Sequence, residues 1–352
     1  MLENTSYLQI RKSSIVQYDQ SEFTKRKQES INELLAENGR DTYRGEMSVV
    51  AQKNLRRKIQ IWHSGIEYFN SKVSNPTMRN TKRLVFLTLT LCALQRHSDQ
   101  QIKRDVLKPF MRILREKFNC INYVWKAESQ QTGSIHFHVI IDQFIDKEEI
   151  QRIWNSCQQK LFYVDRFEAK CGHNHPPSTH VEVIDSLEIA EKYIEKYICK
   201  DDKYRRIEGA IWKASKSINS LKFFEIVEDS EINESINKAI DNKDCKLIEK
   251  DRYRMFFFEK DKLINYLPKY HKYQYFNYLQ FLVDYLFKNE TTMDFSDYCI
   301  FRKDCFDTCN KTEEYEEIFS KHSIPIIQGR LFNDNVNNEA ITKERIRDKR
   351  NM

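Results

Sequence analysis

Two hydrophobic periods run along this chain, and the switch between them marks its elements. Residues 21–38 carry Phe23, Ile31 and Leu34 on one side, with Ser21 as a cap and Asn38-Gly39 as a stop, so a helix is predicted. A longer helix is predicted over 47–74. There Leu55, Ile59, Trp62, Ile66, Phe69 and Val73 recur at steps of four and three, and Asn75-Pro76 ends the run. The character changes at Thr81. Lys82 to Leu91, K-R-L-V-F-L-T-L-T-L, is dense in β-formers and reads as a central strand. Ser98 or Asp99 then caps a helix to about Phe118, with Ile102, Val106, Phe110 and Ile113 inward and a kink at Pro109.

A β-hairpin is predicted next. Ile121 to Glu128 is one strand, Ser129 to Gly133 a short turn, and G-S-I-H-F-H-V-I-I-D the return. In the return strand Ile135, Phe137, Val139 and Ile141 point one way, and Ser134, His136 and His138 the other. Asp146 with Glu149 suggests a capping box for a helix burying Ile150, Ile153, Trp154, Cys157 and Leu161. A short strand over Phe162 to Phe167, a loop from Cys171 to Thr179 and a strand from His180 to Ile184 follow. A second capping box, Asp185 with Glu188, opens a helix to about Lys200. Its buried stripe is Leu187, Ala190, Ile194 and Ile198. Tyr193 and Tyr197 lie on the border of that stripe, with Lys196 and Lys200 just beyond.

Past Asp201 the pattern loosens. Residues 203–224 are basic, with Trp212 and Phe223-Phe224 as packing anchors. Residues 228–250 read as a linker or an exposed helix, and 253–287 as aromatic and helical in period, broken by Pro268. The segment 289–352 is polar, and its charged end is expected to fray. The divisions implied are an N-terminal helical region (1–80), a central α+β domain (81–225) and a C-terminal helical, aromatic-rich region (226–352).

Composition removes several classes. A chain of 352 residues with 40% hydrophobic content can bury a real core. It has no apolar run of about 18 residues, so no membrane span is expected. The first ten residues lack the pattern of a secretory signal. Nine scattered cysteines without a C-x-x-C pair read as free thiols of a reducing cytoplasm. Neither G-x-x-x-x-G-K-[ST] nor G-x-G-x-x-G occurs, which argues against an ATP-driven engine or a dinucleotide fold. The net charge of +6 is compatible with nucleic acid. Lys53, Arg56, Arg57 and Lys58 on the 47–74 helix read either as a solvated face or as phosphate contacts, and Lys126 is a further candidate for DNA binding.

The chemistry centres on the histidine strand. Two imidazoles about 7 Å apart at Cα can converge on one ion. Glu128 lies near His136 if the hairpin closes over Ser129–Gly133. Such a site can hold Zn, Mn or Mg and polarise a phosphoryl oxygen, with ligand softness favouring Zn or Mn. Tyr193 and Tyr197 read either as aromatics at a core edge or as nucleophiles. In the second case Lys196 and Lys200 would lower a phenol's pKa or offset phosphate charge. Cys171, His173, His175 and His180 admit a zinc site, a plain polar loop or a DNA-contacting loop. The run Lys269 to Phe276 reads as the core of a small helical domain or as a base-stacking surface.

In order, F-L-T-L-T, I-H-F-H-V-I-I-D and Y-x-x-x-Y-x-x-K resemble the HUH endonucleases, and more narrowly the rolling-circle replication initiators of small single-stranded DNA phages and related plasmids. The resemblance covers about residues 81–200. It implies a central antiparallel sheet of about five strands flanked by helices, with the histidine strand central. It implies Mg2+ or Mn2+ on His136 and His138, with Glu128 as the third ligand. Tyr193 and Tyr197 would be alternating nucleophiles, with Lys200 as the motif lysine and Lys196 at the same spacing after Tyr193. The expected activity is nicking and rejoining of single-stranded origin DNA through a 5′-phosphotyrosine, in a bacterial host cytoplasm, with helicase and polymerase supplied by the host. A relaxase or single-strand transposase with the same chemistry, a water-using metal hydrolase and a non-catalytic DNA-binding regulator are the alternatives.

Overall fold

The computed structural model describes residues 6–19, 47–73, 82–184, 186–193, 196, 204–250, 253–259 and 262–288. Among these, the first elements are strands β1 (Ser6–Ile10) and β2 (Ser14–Asp19), helix α1 (Val49–Lys72) and strand β3 (Lys82–Thr90). Helix α2 follows, in which α-helical turns Asp99–Ile102 and Lys108–Phe118 flank a π-helical turn at Lys103–Leu107. Then come β4 (Tyr123–Ser129), β5 (Ile135–Gln143), α3 (Lys147–Gln159), α4 (Tyr163–Cys171), β6 (Thr179–Ile184), α5 (Leu187–Tyr193), β7 (Trp212–Ala214) and α6 (Lys216–Ser220). The rest are β8 (Phe224–Val227), α7 (Ser230–Asp241), β9 (Cys245–Lys250), β10 (Tyr253–Phe258), α8 (Leu263–Tyr266) and α9 (Lys269–Val283), which ends in a π-helical turn at Asp284–Lys288. The chain is α+β and forms two compact units. One is Lys27–Leu221; the other joins Met1–Arg26 to Lys222–Met352.

The Lys27–Leu221 unit is built on a five-stranded antiparallel sheet in the order β6-β3-β5-β4-β7, so the histidine strand β5 is its middle strand. Alternation divides the sheet into two faces. Val85, Leu87 and Leu89 of β3, Trp125 and Ala127 of β4, and Phe137, Val139 and Ile141 of β5 enter one core with Ile102, Val106 and Phe110 of α2 and Ile150, Ile153 and Trp154 of α3. Trp154 anchors it. Its ring meets Phe110 and Phe137 edge-on, and its indole N–H donates to the Thr90 carbonyl at 2.8 Å. The other face turns Phe86, Thr88, Lys126, Glu128, His136, His138 and Asp142 towards α1 and α5. The Trp62 indole of α1 donates to Asp142, and Tyr193 of α5 rests on Phe86.

Several local expectations change. Ser98 does cap α2, accepting from Gln101 N at 3.2 Å. The irregularity, though, is the π turn ahead of Pro109. The wider turn relieves the clash between the proline ring and the carbonyl four residues back. Phe162 to Phe167 is not a strand. Phe162 takes φ 61° at the start of α4, Tyr163 is fully buried, and Gly172 at φ 78° ends the helix, its N–H donating to Glu168 O at 2.7 Å. Asp146 makes no side-chain cap. Glu149 pairs with Arg152 at 2.7 Å and with Lys117 at 3.6 Å instead. The box at Asp185 and Glu188 and the helix at 21–38 lie outside the described residues, but Ser186 Oγ accepts from Ile189 N at 3.2 Å at the head of α5.

The other unit departs further from a helical reading of both ends. β1 and β2 form a hairpin through Arg11–Ser14 and join a second antiparallel sheet in the order β8-β1-β2-β10-β9. S-Y-L-Q-I and S-I-V-Q-Y-D alternate at period two. Residues 245–250 and 253–258 are strands as well, rather than linker and helix. Within 228–250 only Ser230–Asp241 is helical, capped by Asp229 Oδ1 accepting from Ile232 N at 2.9 Å. The aromatics of α9 are core residues: Tyr275 and Tyr278 lie against Phe224, and the Tyr278 hydroxyl donates to Lys222 O.

Candidate metal and nucleophile site

The register of the hairpin decides which side chains meet. Gly133 takes φ 80° in the turn, where Gly133 N donates to Gln130 O at 2.8 Å and Gln130 N to Ser134 O at 2.9 Å. That closure sets Glu128 opposite His136 and Lys126 opposite His138. From the other neighbour, β3 sets Thr90 opposite His136 and Thr88 opposite His138. Directly paired residues share a face. Three donors therefore converge: His138 Nε2 is 3.1 Å and His136 Nε2 3.4 Å from Glu128 Oε2, and the two Nε2 atoms stand 3.0 Å apart.

These separations fit one ion. Ligands at right angles about 2.1–2.2 Å from a cation stand about 3 Å from each other. The protonation states fit too. Burial pushes the His138 imidazole down to about 4, so it is neutral at physiological pH. Burial works to raise Glu128, but hydrogen bonds from His136 and His138 outweigh it and hold the carboxyl below the usual range, so it is an anion. His138 Nδ1 lies 3.3 Å from Thr88 Oγ1. Donation to that hydroxyl turns the Nε2 lone pair toward Glu128 and His136, an arrangement that asks for a cation between them. Among the described residues this is the one His/Cys/Asp/Glu group with ligand atoms so placed, all within 4.8 Å of one another. Cys171, His173, His175 and His180 are exposed and form no such group.

Tyr193 reaches the same face through an aromatic bridge. Phe86 is buried between them, its ring 4.8 Å from that of Tyr193 and 5.3 Å from that of His138. Lys196 is exposed, and Tyr197 and Lys200 lie outside the described residues. Of the basic residues on α1, Arg57 is exposed, Arg56 is half-buried, and the Lys58 ammonium donates to Asn219 O. Lys126 is not on the surface. It is 2% exposed beside His138, where its charge helps keep that imidazole neutral.

Three features here go beyond the sequence motifs. Phe86 and Thr88 stand on the same face of β3 as Thr90, a placement readable from the alternation of L-V-F-L-T-L-T once the pairing is known. Arg205 carries no local signal. Its guanidinium grips Asp99 at 2.6 and 2.7 Å and donates to Gly133 O, while Gln95 Oε1 accepts from Ile135 N at 2.6 Å. The clamp fastens the chain beyond the tyrosine segment to the tip of the histidine hairpin. It also draws the Asp99 carboxyl down to about 2, since its hydrogen bonds outweigh a burial that would raise it. The third feature is Asp142, at the far end of β5. It is fully buried, and its Oδ2 accepts from Asn122 Nδ2 at 2.7 Å and Trp62 Nε1 at 3.2 Å.

Residues 84–202, about a third of the chain, match the family model of the replication-associated protein ORF2. No curated protein and no solved structure matches the chain. Among the described residues no helix is long and apolar enough to cross a membrane. The matched stretch contains β3, the hairpin with Glu128, His136 and His138, and Tyr193 with Tyr197, so the segment that builds the site is the segment similar to replication-associated proteins.

Proposed function

We propose that the Lys27–Leu221 unit nicks and rejoins single-stranded DNA to start replication, by HUH-type chemistry. The observation that carries this reading is the convergence of Glu128, His136 and His138 on the sheet face that Tyr193 reaches through Phe86, inside the stretch similar to replication-associated proteins. A Mg2+ or Mn2+ ion held by those three side chains would polarise a phosphoryl oxygen. The phenol oxygen of Tyr193 or Tyr197 attacks the phosphorus; the new Tyr–O–P bond forms as the P–O3′ bond breaks. The phenol proton is lost and the departing 3′ oxygen takes one up, leaving a free 3′ hydroxyl as primer and a 5′-phosphotyrosine. Because one phosphodiester replaces another, a later hydroxyl can reverse the exchange and rejoin the strand without ATP. Lys126, buried beside His138, adds positive charge where phosphate charge develops, and Lys196 and Lys200 do the same from the tyrosine segment. Arg57 contacts the DNA backbone. Host polymerase and helicase would extend and unwind.

The test incubates the protein with single-stranded oligonucleotides tiling its own replicon, with Mn2+ or Mg2+, on a denaturing gel. The expected product is a covalent protein–DNA band that disappears with chelator and maps by mass spectrometry to Tyr193 or Tyr197. Cleavage without an adduct would mean hydrolysis by water. Binding with no cleavage in either metal would leave a regulator.

A further inference from the structure

The second sheet is covered on one face only. Its inner face carries Leu8, Ile10, Ile15, Phe256, Phe224 and Ile226, none more than 6% exposed, packed under α7 and α9. The outer face is aromatic in a different way. Tyr7, Tyr18 and Tyr253 are register partners on three adjacent strands, β1, β2 and β10, so they form one row about 10 Å long. Tyr7 and Tyr18 stack at 6.0 Å with their planes 26° apart, Tyr253 is 40% exposed, and Phe257, on the same face, is 38% exposed.

Charge gives this face a direction. Lys250 pairs with Tyr253 and Lys246 with Phe257, so two exposed ammonium groups line the β9 edge on the aromatic side. The acid of this face, Glu225, lies at the opposite edge on β8, where it accepts from Gln9 Nε2 at 2.8 Å. Accessible rings in a row with cations along one side match the needs of a strand of unpaired bases: π-faces to stack on, and phosphates to neutralise beside them. A duplex keeps its base faces stacked on one another and cannot use the rings. A protein partner would have no need of lysines confined to one edge.

We infer that this outer face is a stacking platform for unpaired bases of single-stranded DNA, with the sugar-phosphate backbone along Lys246 and Lys250. The choice of DNA rests on the replication reading above, whereas the platform itself is a second binding surface, in the other unit from the nicking chemistry. It gives the chain a non-covalent hold on single strand that does not depend on the tyrosine adduct.

The experiment uses the full chain with His138→Ala, so that cleavage does not enter, and follows binding of fluorescent poly-dT by anisotropy. Tyr18→Ala and Tyr253→Ala should each weaken binding about tenfold. The double charge reversal Lys246→Glu, Lys250→Glu changes only exposed residues and should lower both the affinity and its salt dependence. Iododeoxyuridine crosslinking should map to Tyr7, Tyr18 or Tyr253, which reads the contact in the unmutated face and guards against a variant that fails to fold. Unchanged affinity in the charge-reversal variant together with crosslinks elsewhere overturns the inference, as does equal loss of duplex binding, or a tyrosine variant that dissociates a dimer without affecting poly-dT. Adduct formation by chains with His138 intact separates the two readings. Adducts with no effect of the platform variants on affinity sink only the platform; platform-dependent binding with no adduct under any metal sinks only the nicking.

Discussion

Glu128 and Asp142 are two acids buried on the same face of the same sheet, and they are driven in opposite directions. Glu128 is 7% exposed and Asp142 is 0% exposed, so burial alone would raise both. Glu128 ends up low because two imidazoles converge on one of its oxygens. Asp142 ends up high because desolvation outweighs the hydrogen bonds it accepts from Asn122 and Trp62 and the charge of Lys82. Its Oδ1 is buried with no hydrogen-bond partner among the described residues. The end of β5 near the turn thus presents an anion with neutral nitrogens beside it, while the far end presents a neutral acid that acts as part of the core. A buried carboxylate marks a ligand site only where its neighbours favour the charged form.

The strongest break in this contrast is at the turn end. His138→Ala removes a nitrogen donor and should slow adduct formation by about a thousandfold or more, with poly-dT binding retained. Loss of binding in step with activity would make the cluster structural. At the far end the expected readout is stability. Asp142→Ala orphans the Trp62 and Asn122 donors and should cost about 3 kcal/mol in urea unfolding. Asp142→Asn keeps an acceptor for both. For a carboxyl whose folded pKa is raised, stability is complete below the unfolded value near 3.9 and declines as pH rises through the folded value. The Asn variant should therefore match wild type at acid pH and equal or exceed it at neutral pH. A large loss at every pH would mean that Asp142 is ionised, and the contrast with Glu128 would collapse.

Asp99 sharpens the same point outside the site. Its carboxyl, drawn down to about 2, contributes stability above the unfolded value near 3.9 that is lost as pH falls toward the folded one. Asp99→Asn should cost about 2 kcal/mol at neutral pH, and the gap from wild type should close as pH approaches 2.

What the sequence conveys here follows the distance over which each contact acts. The hairpin is local: the alternation from Ile135 to Ile141 and the short turn before it specify the strand and the face of its histidines. Which residue stands across from His136 depends on how the turn closes, and the pairing of Glu128 with His136 enters with Gly133 at positive φ. The hairpin of β1 and β2 carries its own alternation, but its partners lie more than 200 residues on, at 224–227 and 253–258, so nothing nearby identifies it as part of a sheet. Phe162 looks like a strand residue because the apolar run Leu161–Val164 has no period long enough to choose, and the stop at Gly172 decides for a helix. Arg205 and Asp99 are separated by 106 positions, and only the folded chain brings them together.

Thr88 offers the finest test of the contrast, since it acts on the metal cluster without being one of the three donors. Its hydroxyl faces His138 Nδ1 at 3.3 Å, and the value of that contact lies in which ring nitrogen carries the proton. With the proton on Nδ1, Nε2 is a lone pair beside the Glu128 anion and the site favours a cation. With the proton on Nε2, the same ring donates to Glu128 and the site satisfies itself. Thr88→Val keeps the shape of the strand and removes the acceptor, so the tautomers are no longer distinguished from that side. The expected result is about tenfold weaker Mn2+ binding by calorimetry, or roughly 1.4 kcal/mol, with unfolding stability nearly unchanged. Thr88→Ser restores the hydroxyl and should recover most of the affinity. If valine and serine bind Mn2+ alike, the proton on His138 is set from the Glu128 side, and the difference between the two acids lies in the imidazoles alone.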